Sequence, residues 1–234
     1  MKVDVVFAAG DLAEAKVKGK VAIVIDVLRA TSVMVTALNN GAKEVIPVLS
    51  PEEAFALKKE NPKQVLLGGE RDTLAIEGFD YGNSPLDYVP GVVENKTIVM
   101  TTSNGTRAIK GSVAANKIVI ASFLNVKSIV ESISEGDDPV LVCSGSNDFF
   151  TIEDSLCAGM IISILGQIFD IQLSDGALAM KELYETNKDL EQIASGGNHY
   201  KLLQKRGFYD DLKYCFQKNS IQLVPYYKAG RIII

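Results

Sequence analysis

The sequence predicts an α/β fold: a three-layer α/β/α sandwich with a largely parallel or mixed central sheet. Short apolar runs rich in β-branched residues recur up to about residue 150, and several segments between them carry helix start and stop signals. Alternating strands and helices favour a largely parallel sheet covered on both faces, and such sheets bind ligands at the carboxyl ends of their strands.

Six segments are almost wholly apolar, as buried strands are. They are residues 21–25, 45–48, 65–67, 97–100, 117–120 and 140–142. Residues 1–7 alternate like a further strand, and residues 222–225 predict a last one.

Helices are predicted between the strands and after residue 150. Ser50, Pro51 and Glu53 combine an N-cap, a first-turn proline and a capping-box glutamate. Gly41 can end a helix that begins near Thr31. Residues 152–168 and then 173–190 predict further helices, with no linker and no internal repeat between them.

Composition excludes several classes of protein. The chain has 234 residues, of which 47% are hydrophobic, so one large domain is expected. Its net charge is −5, and its 24 Lys and Arg residues form no basic run, so nucleic acid is not an expected partner. Residues 160–171 are too short and too interrupted to cross a membrane. With no signal-peptide pattern and only three cysteines, the protein is expected in the cytoplasm.

Polar clusters follow the predicted strands, at residues 26–32, 68–71, 101–106, 122–125 and 143–146. Small hydroxyl residues and glycines before a helix offer N–H and O–H donors to an anion, and residues 101–106 fit this description best. The alternative is that Ser103 or Asn104 only caps the next helix. Repetition at several strand ends favours an anion site at one edge of the sheet.

Two of these clusters pair an acid with an arginine. Asp26 follows a buried strand, where an unpaired carboxylate would be costly, so it needs a metal, an arginine or both. Arg29 can hold phosphate or carboxylate with two hydrogen bonds, although a simple Asp26–Arg29 ion pair is the alternative. Glu70 and Arg71 repeat the pattern after two glycines, which permit close backbone approach.

Magnesium is the expected metal. Asp154 is expected either to stabilise the start of a helix or to bind Mg²⁺, because it lies close to the strand-end loops. A chain with one histidine offers hard oxygen ligands rather than a transition-metal centre. His199 itself is expected to be a capping or surface residue outside the site. Cys143 is expected to be a buried, inert thiol, because no Cys-x5-Arg phosphate loop accompanies it.

Five segments, taken together, resemble the 2-phosphosulfolactate phosphatase family. They are IDVLRAT at residues 25–31, GGER at 68–71, GFDYGNSP at 78–85, TTSNGT at 101–106 and EDSLCAG at 153–159. The resemblance covers nearly the whole chain and implies one three-layer α/β domain over residues 1–234. It also implies an Mg²⁺-dependent hydrolase that converts 2-phospho-3-sulfolactate to 3-sulfolactate and inorganic phosphate, a step of coenzyme M biosynthesis in methanogens.

On this resemblance, each site residue receives an expected role. Asp26, Glu70 and Asp154 would provide or orient Mg²⁺, and Asp26, Arg29 and Glu70 would be the catalytic residues. The expected substrate-binding residues are Arg71, Asn83, Ser84, Thr102, Ser103, Asn104, Gly105 and Arg107. Of these, Arg71 and Arg107 would meet the sulfonate and carboxylate.

Two other functions stay open at this point: a phosphatase for another small 2-phospho-acid, and a non-catalytic domain that binds a phosphorylated metabolite. A homodimer is the default expectation for such an enzyme.

Overall fold

The computed structural model describes all residues from Met1 to Ile234, which form a sheet of eleven strands and eleven α-helices. The strands are β1 Lys2–Val6, β2 Val21–Ile25, β3 Glu44–Pro47, β4 Val65–Arg71, β5 Leu74–Ala75, β6 Thr97–Thr101, β7 Lys117–Ala121, β8 Pro139–Cys143, β9 Gln172–Leu173, β10 Tyr226–Lys228 and β11 Arg231–Ile233. The helices are α1 Glu14–Val17, α2 Ala30–Asn39, α3 Pro51–Glu60, α4 Pro90–Val93, α5 Gly105–Gly111, α6 Val126–Glu131, α7 Ile152–Ile168, α8 Asp175–Glu185, α9 Leu190–Ala194, α10 Asn198–Lys205 and α11 Tyr209–Cys215.

The sheet consists of two parallel groups joined by a hairpin, with β5 antiparallel to β4 at one edge, in the order β5-β4-β6-β3-β11-β10-β7-β2-β8-β1-β9. Strands β4, β6 and β3 are parallel to one another, and so are β7, β2, β8, β1 and β9. The hairpin β10–β11 pairs antiparallel with β7 on one side and with β3 on the other. The predicted mixed α/β sheet is therefore confirmed.

Each face of the sheet packs against helices. In β2, Ile23 and Ile25 belong to the apolar cluster that contains α7, whereas Ala22 and Val24 belong to the cluster that contains α2. All residues of β2 are buried, as a strand covered on both faces requires. Truncating such a core residue to alanine typically costs about 2–5 kcal/mol, so β2 holds the residues that follow it firmly.

Most predicted elements appear at the expected positions. The six apolar strands are all present, and α7 has the predicted bounds. The Ser50 side chain accepts from the Glu53 N–H (3.2 Å), although the Glu53 carboxylate accepts from the Leu49 N–H instead of the Ser50 N–H. Gly41 follows α2 with a φ of +93°, which favours glycine. No helix has both the length and the apolar character that a membrane span needs.

Two predicted elements differ from the structure. The prediction of a strand at residues 222–225 is wrong, because these residues run beside the loop that follows β7, where the Asn125 amide donates to the Leu223 carbonyl. The last strands begin only at Tyr226. The helix predicted at residues 173–190 is shorter, because the Ser174 side chain caps α8 at its start and the helix ends at Glu185.

Candidate active site

A polar cavity of about 350 Å³ opens at the carboxyl ends of the strands, and only three of its fifteen lining residues are hydrophobic. Four of the five polar clusters seen in the sequence contribute residues to it. Its lining includes Asp26, Arg29, Glu70, Asn83, Ser103, Asn104, Ser146, His199 and Arg206. The fifth cluster, residues 122–125, instead forms a capping box around Ser122 and Asn125.

Asp26 lies where β2 ends and α2 is about to begin. Its Oδ1 atom accepts from the Ala30 N–H (3.2 Å), and its own N–H donates to Thr31 Oγ1 (3.0 Å). Burial raises the pKa of the Asp26 carboxyl to about 6, although the nearby His199 charge opposes this shift. Its Oδ2 atom accepts no hydrogen bond from the protein, so this oxygen is free to bind a ligand.

The loop after β6 reaches Asp26 through a glycine. A Cβ atom at Gly105 would lie 2.6 Å from Asp26 Oδ2, so only glycine fits there. Thr102 and Thr106 fix the loop by exchanging hydrogen bonds between each side-chain oxygen and the other backbone N–H (both 3.2 Å). Thr102 therefore shapes the loop, while Ser103 and Asn104 line the cavity.

Glu70 connects the ends of β4 and β6. One carboxylate oxygen accepts from the Ser103 N–H (2.8 Å) and the other from the Thr73 N–H (2.8 Å). The neighbouring Gly69 has a φ of +139°, and a Cβ atom there would collide with the Thr101 carbonyl. This glycine thus permits close packing of two strands.

Asp154 lies behind the cavity, not in its lining. Its carboxylate accepts from the Val27 N–H (2.8 Å) and from the Gly145 N–H (3.1 Å). Burial, together with the charge of Asp26, raises the pKa of this carboxyl well above its usual value. Asp154 therefore ties the segment after β2 to the segment after β8 and supports Asp26 from behind.

His199 is the main residue that sequence reasoning left out. Its side chain is 14% exposed, lines the cavity, and its Nδ1 atom lies 2.9 Å from Glu153 Oε1. Burial alone would lower the pKa of His199, but the hydrogen bond and charge of Glu153, with Asp26 and Asp154, raise it. The expectation of a capping or surface residue outside the site is therefore wrong. Nothing in the local sequence indicates this contact, since 46 positions separate the two residues.

Arg29 lines the cavity but does not pair with Asp26. Its Nη1 atom donates to Asp211 Oδ2 (2.5 Å), its Nη2 atom donates to the Thr73 carbonyl (3.0 Å), and its guanidinium lies 4.0 Å above the Phe208 ring. The side chain is 2% exposed. The buried ion pair with Asp211 therefore holds this side chain in a fixed position at the cavity wall.

The other predicted arginines lie elsewhere. Arg71 donates to the Glu70 carbonyl (2.7 Å) and to Thr101 Oγ1 (2.9 Å), and Arg107 pairs with Asp148 at the surface (3.0 Å). Neither lines the cavity. Arg206, which the sequence analysis did not single out, follows α10 and does line it.

Asn83 and Ser84 lie next to each other but have different surroundings. Asn83 is buried and lines the cavity, and its Oδ1 atom has no hydrogen-bond donor. The Ser84 hydroxyl donates to Asp211 Oδ1 (2.7 Å) and so supports the partner of Arg29. Cys143 is buried and uncharged, since burial raises the pKa of its thiol well above the usual value.

The cavity contains oxygen atoms that suit Mg²⁺. No three His, Cys, Asp or Glu side chains are grouped as metal ligands. Mg²⁺, however, commonly uses one or two carboxylates, with water and substrate phosphate oxygens as its other ligands. Asp26 Oδ2 and the partner-free Asn83 Oδ1 are hard oxygens of this kind, and Glu70 lines the same cavity. Asp26 and Glu70 line the cavity and fit such an ion, whereas Asp154 does not line it.

Fold and cavity together define an α/β protein with a cavity lined by carboxylates and arginines at its strand ends. The family model described as 2-phosphosulpholactate phosphatase matches residues 7–230. The chain belongs to this family. The resemblance read from the five segments is thus confirmed, and with it the enzyme class, phosphoric monoester hydrolase.

Curated relatives match over almost their whole length. The chain is 47% identical over 233 residues to a "Probable 2-phosphosulfolactate phosphatase" of Clostridium novyi (strain NT), with 99% of each chain covered. It is 46% identical over 235 residues to the protein of the same name from Clostridium acetobutylicum, with 100% of each chain covered. The protein of that name from Clostridium tetani is 45% identical, with 99% of this chain and 100% of the relative covered.

Proposed function

We propose that this protein hydrolyses 2-phospho-3-sulfolactate to 3-sulfolactate and inorganic phosphate in a reaction that depends on Mg²⁺. Family membership supports the phosphatase class, and the names of the relatives support the substrate. The observation that carries the proposal is the approach of Gly105 to Asp26, because it brings a buried carboxylate and a phosphate-binding loop to one cavity.

The phosphoryl group would bind between the loop after β6 and Arg29. Ser103 and Asn104 present short polar side chains to the cavity, and Arg29 adds a guanidinium that Asp211 holds in place. Groups held in place before the reaction stabilise developing charge better than mobile ones, because they need not reorganise. In this scheme Thr102 and Gly105 give the loop its shape, and Asn83 completes the wall of the cavity.

Asp26 and Glu70 would hold the metal. Bound Mg²⁺ would neutralise charge on the phosphoryl oxygens and lower the pKa of a bound water. Asp26 offers its Oδ2 atom, which has no protein partner, and Glu70 keeps the Ser103 and Thr73 N–H groups in position. Asp154, expected from the sequence to provide or orient the metal, would orient it by holding the segment that follows Asp26.

The second anionic end of the substrate would meet Arg206. A sulfonate and a carboxylate each require cationic donors when they leave water. Arg206 lines the cavity, whereas Arg71 and Arg107 would first have to give up the partners that they now hold. We therefore assign to Arg206 the role that the sequence analysis gave to Arg71 and Arg107.

The setting of the reaction is also proposed from the sequence. We infer a cytoplasmic enzyme, expected to act as a homodimer, that serves coenzyme M biosynthesis or another route of sulfolactate metabolism. The absence of a basic run among its 24 Lys and Arg residues supports a small molecule, not nucleic acid, as the partner.

Phosphate release tests this proposal directly. Purified protein is incubated with 2-phospho-3-sulfolactate, 2-phospholactate and 3-phosphoglycerate, each with Mg²⁺ or with EDTA. We expect turnover of 2-phospho-3-sulfolactate with Mg²⁺, loss of turnover with EDTA, and a loss of at least about 100-fold in Asp26→Asn. Asp210→Asn, an exposed acid on α11, is the matched control. Preference for 2-phospholactate would show that the proposed substrate is wrong. Full activity in EDTA would show that the reaction does not depend on Mg²⁺.

A further inference from the structure

The proposed reaction leaves one ionisable residue of the cavity unused. His199 lies near the start of α10, is the only histidine of the chain, and lines the same cavity as Asp26. Its side chain is 14% exposed, so it is neither a surface residue nor sealed in the core.

Glu153 determines how the imidazole ring is oriented. Its Oε1 atom lies 2.9 Å from His199 Nδ1, and its side chain is 2% exposed near the start of α7. With Glu153 as the acceptor of this hydrogen bond, Nδ1 is its donor and carries a hydrogen. The other ring nitrogen, Nε2, has no hydrogen-bond partner in the protein and is not enclosed. Nε2 is therefore the nitrogen that can exchange a proton with a molecule in the cavity.

Hydrolysis of this substrate class calls for a proton donor. When the bond between phosphorus and the ester oxygen breaks, the organic product leaves as an alkoxide, a poor leaving group unless it is protonated. The cavity arginines, Arg29 and Arg206, do not release protons in proteins. Asp26 and Glu70 are assigned to the metal in the proposed function. The remaining carboxyl of the lining, Asp72, is exposed to solvent, whereas His199 is partly buried and held by Glu153, so His199 is the group best suited to donate.

We propose that His199 is the general acid of the reaction, donating its Nε2 proton to the ester oxygen at C2 of the substrate, and that Glu153 is a positioning residue. The inference rests on the proposed function. A water oxygen forms the new bond to phosphorus, and the electron pair of the broken P–O bond goes to the ester oxygen, which takes the His199 proton. Of the two water protons, one stays on the phosphate, and the other returns to His199 through solvent.

Leaving-group dependence tests this role. An alkyl ester such as 2-phospho-3-sulfolactate needs a proton at its leaving oxygen, whereas 4-nitrophenyl phosphate releases a stable phenolate that does not. In His199→Gln and His199→Asn we expect kcat/KM for the alkyl ester to fall by about 10²–10⁴-fold and kcat/KM for the aryl ester to fall far less. Glu153→Gln should show the same pattern with a smaller loss. Gln204→Ala, an exposed residue of the same helix without side-chain hydrogen bonds, should change neither value.

The possible results distinguish an error in the general-acid role of His199 from an error in the proposed substrate. Equal losses for alkyl and aryl esters in folded His199 variants would overturn the general acid, because damage to the cavity affects both substrates alike. Equal activity of variant and wild type on the alkyl ester would also overturn it. If the wild type does not hydrolyse 2-phospho-3-sulfolactate, the proposed substrate is wrong, but the general acid can still be tested. The losses in kcat/KM would then be compared between 4-nitrophenyl phosphate and 2-phospholactate or another alkyl monoester that the wild type accepts. Thermal melting of each variant establishes that it is folded.

Discussion

Gly105 and Asp26 lie so close together that a Cβ atom on the glycine would stand 2.6 Å from Asp26 Oδ2. The strands that precede them, β6 and β2, are separated in the sheet by four others, β3, β11, β10 and β7. Close approach of the two strand-end segments is therefore what joins the two parallel groups at the cavity. The loop after β6 and the Asp26 carboxylate therefore border the same cavity.

A side chain at Gly105 should separate these segments. For Gly105→Ala we expect a loss of at least about tenfold in kcat/KM and a stability loss of about 1–3 kcal/mol, because the added methyl overpacks a closed site. Steady-state kinetics and urea unfolding measure the two effects. Gly91→Ala is the control, since a Cβ atom there would meet nothing within 4 Å. Wild-type kinetics in Gly105→Ala would show that the loop need not approach Asp26.

The local parts of this site could be predicted from the sequence. A carboxylate after a fully apolar strand marks Asp26, and small polar residues before a helix mark Ser103 and Asn104. These signals arise within a few residues of chain, where burial and helix capping act directly. The meeting of these two segments does not follow from the shared edge of a parallel sheet, because β2 and β6 belong to different parallel groups, which the β10–β11 hairpin joins through antiparallel pairings.

The remaining contacts depend on long-range packing and could not be predicted in this way. Arg29 pairs with Asp211, which is 182 positions away in the sequence, and His199 contacts Glu153, which is 46 positions away. A short helix late in the chain gives no local sign of which side chain it directs inward. Arg71 and Arg107 were expected in the site because they neighbour its motifs, but neither lines the cavity.

The ion pair between Arg29 and Asp211 should be important for stability. Both side chains are at most 5% exposed, so Asp211→Asn would leave the guanidinium buried without its counter-charge. We expect a loss of about 3–5 kcal/mol in the free energy of unfolding. Asp148→Asn, which breaks the exposed pair with Arg107, should cost under about 1 kcal/mol. Urea unfolding at pH 7 compares the two, and equal losses would contradict the buried pair's importance.

Arg206 should determine selectivity for the second strong anion. In Arg206→Ala we expect KM for 2-phospho-3-sulfolactate to rise by about 10–100-fold, as the loss of one charged hydrogen bond implies. KM for 2-phospholactate, which lacks the sulfonate, should rise much less. Arg107→Ala is the comparison variant, because the sequence predicted that Arg107 meets the sulfonate and carboxylate. A larger effect in Arg107→Ala would restore that earlier assignment.

The stability of the metal-free protein should depend on the charge of Asp26. Burial raises the pKa of this carboxyl from 3.8 to about 6, so the folded state holds the proton more tightly than the unfolded state. The resulting stability is fully present below pH 3.8 and is lost as pH rises through about 6. A shift of two units corresponds to about 3 kcal/mol.

Asp26→Asn removes this penalty, since a neutral amide replaces the carboxylate while its oxygen still accepts from the Ala30 N–H. In EDTA, we expect the variant to gain stability over the wild type between pH 4 and pH 7, by up to about 3 kcal/mol. Urea unfolding at several pH values measures the difference. Asp210→Asn, at an exposed site, should show a constant difference over the same range. The stability gain of Asp26→Asn over the wild type could instead stay constant or fall with rising pH. That result would mean that burial does not destabilise the carboxylate, because a neighbouring positive charge already balances it.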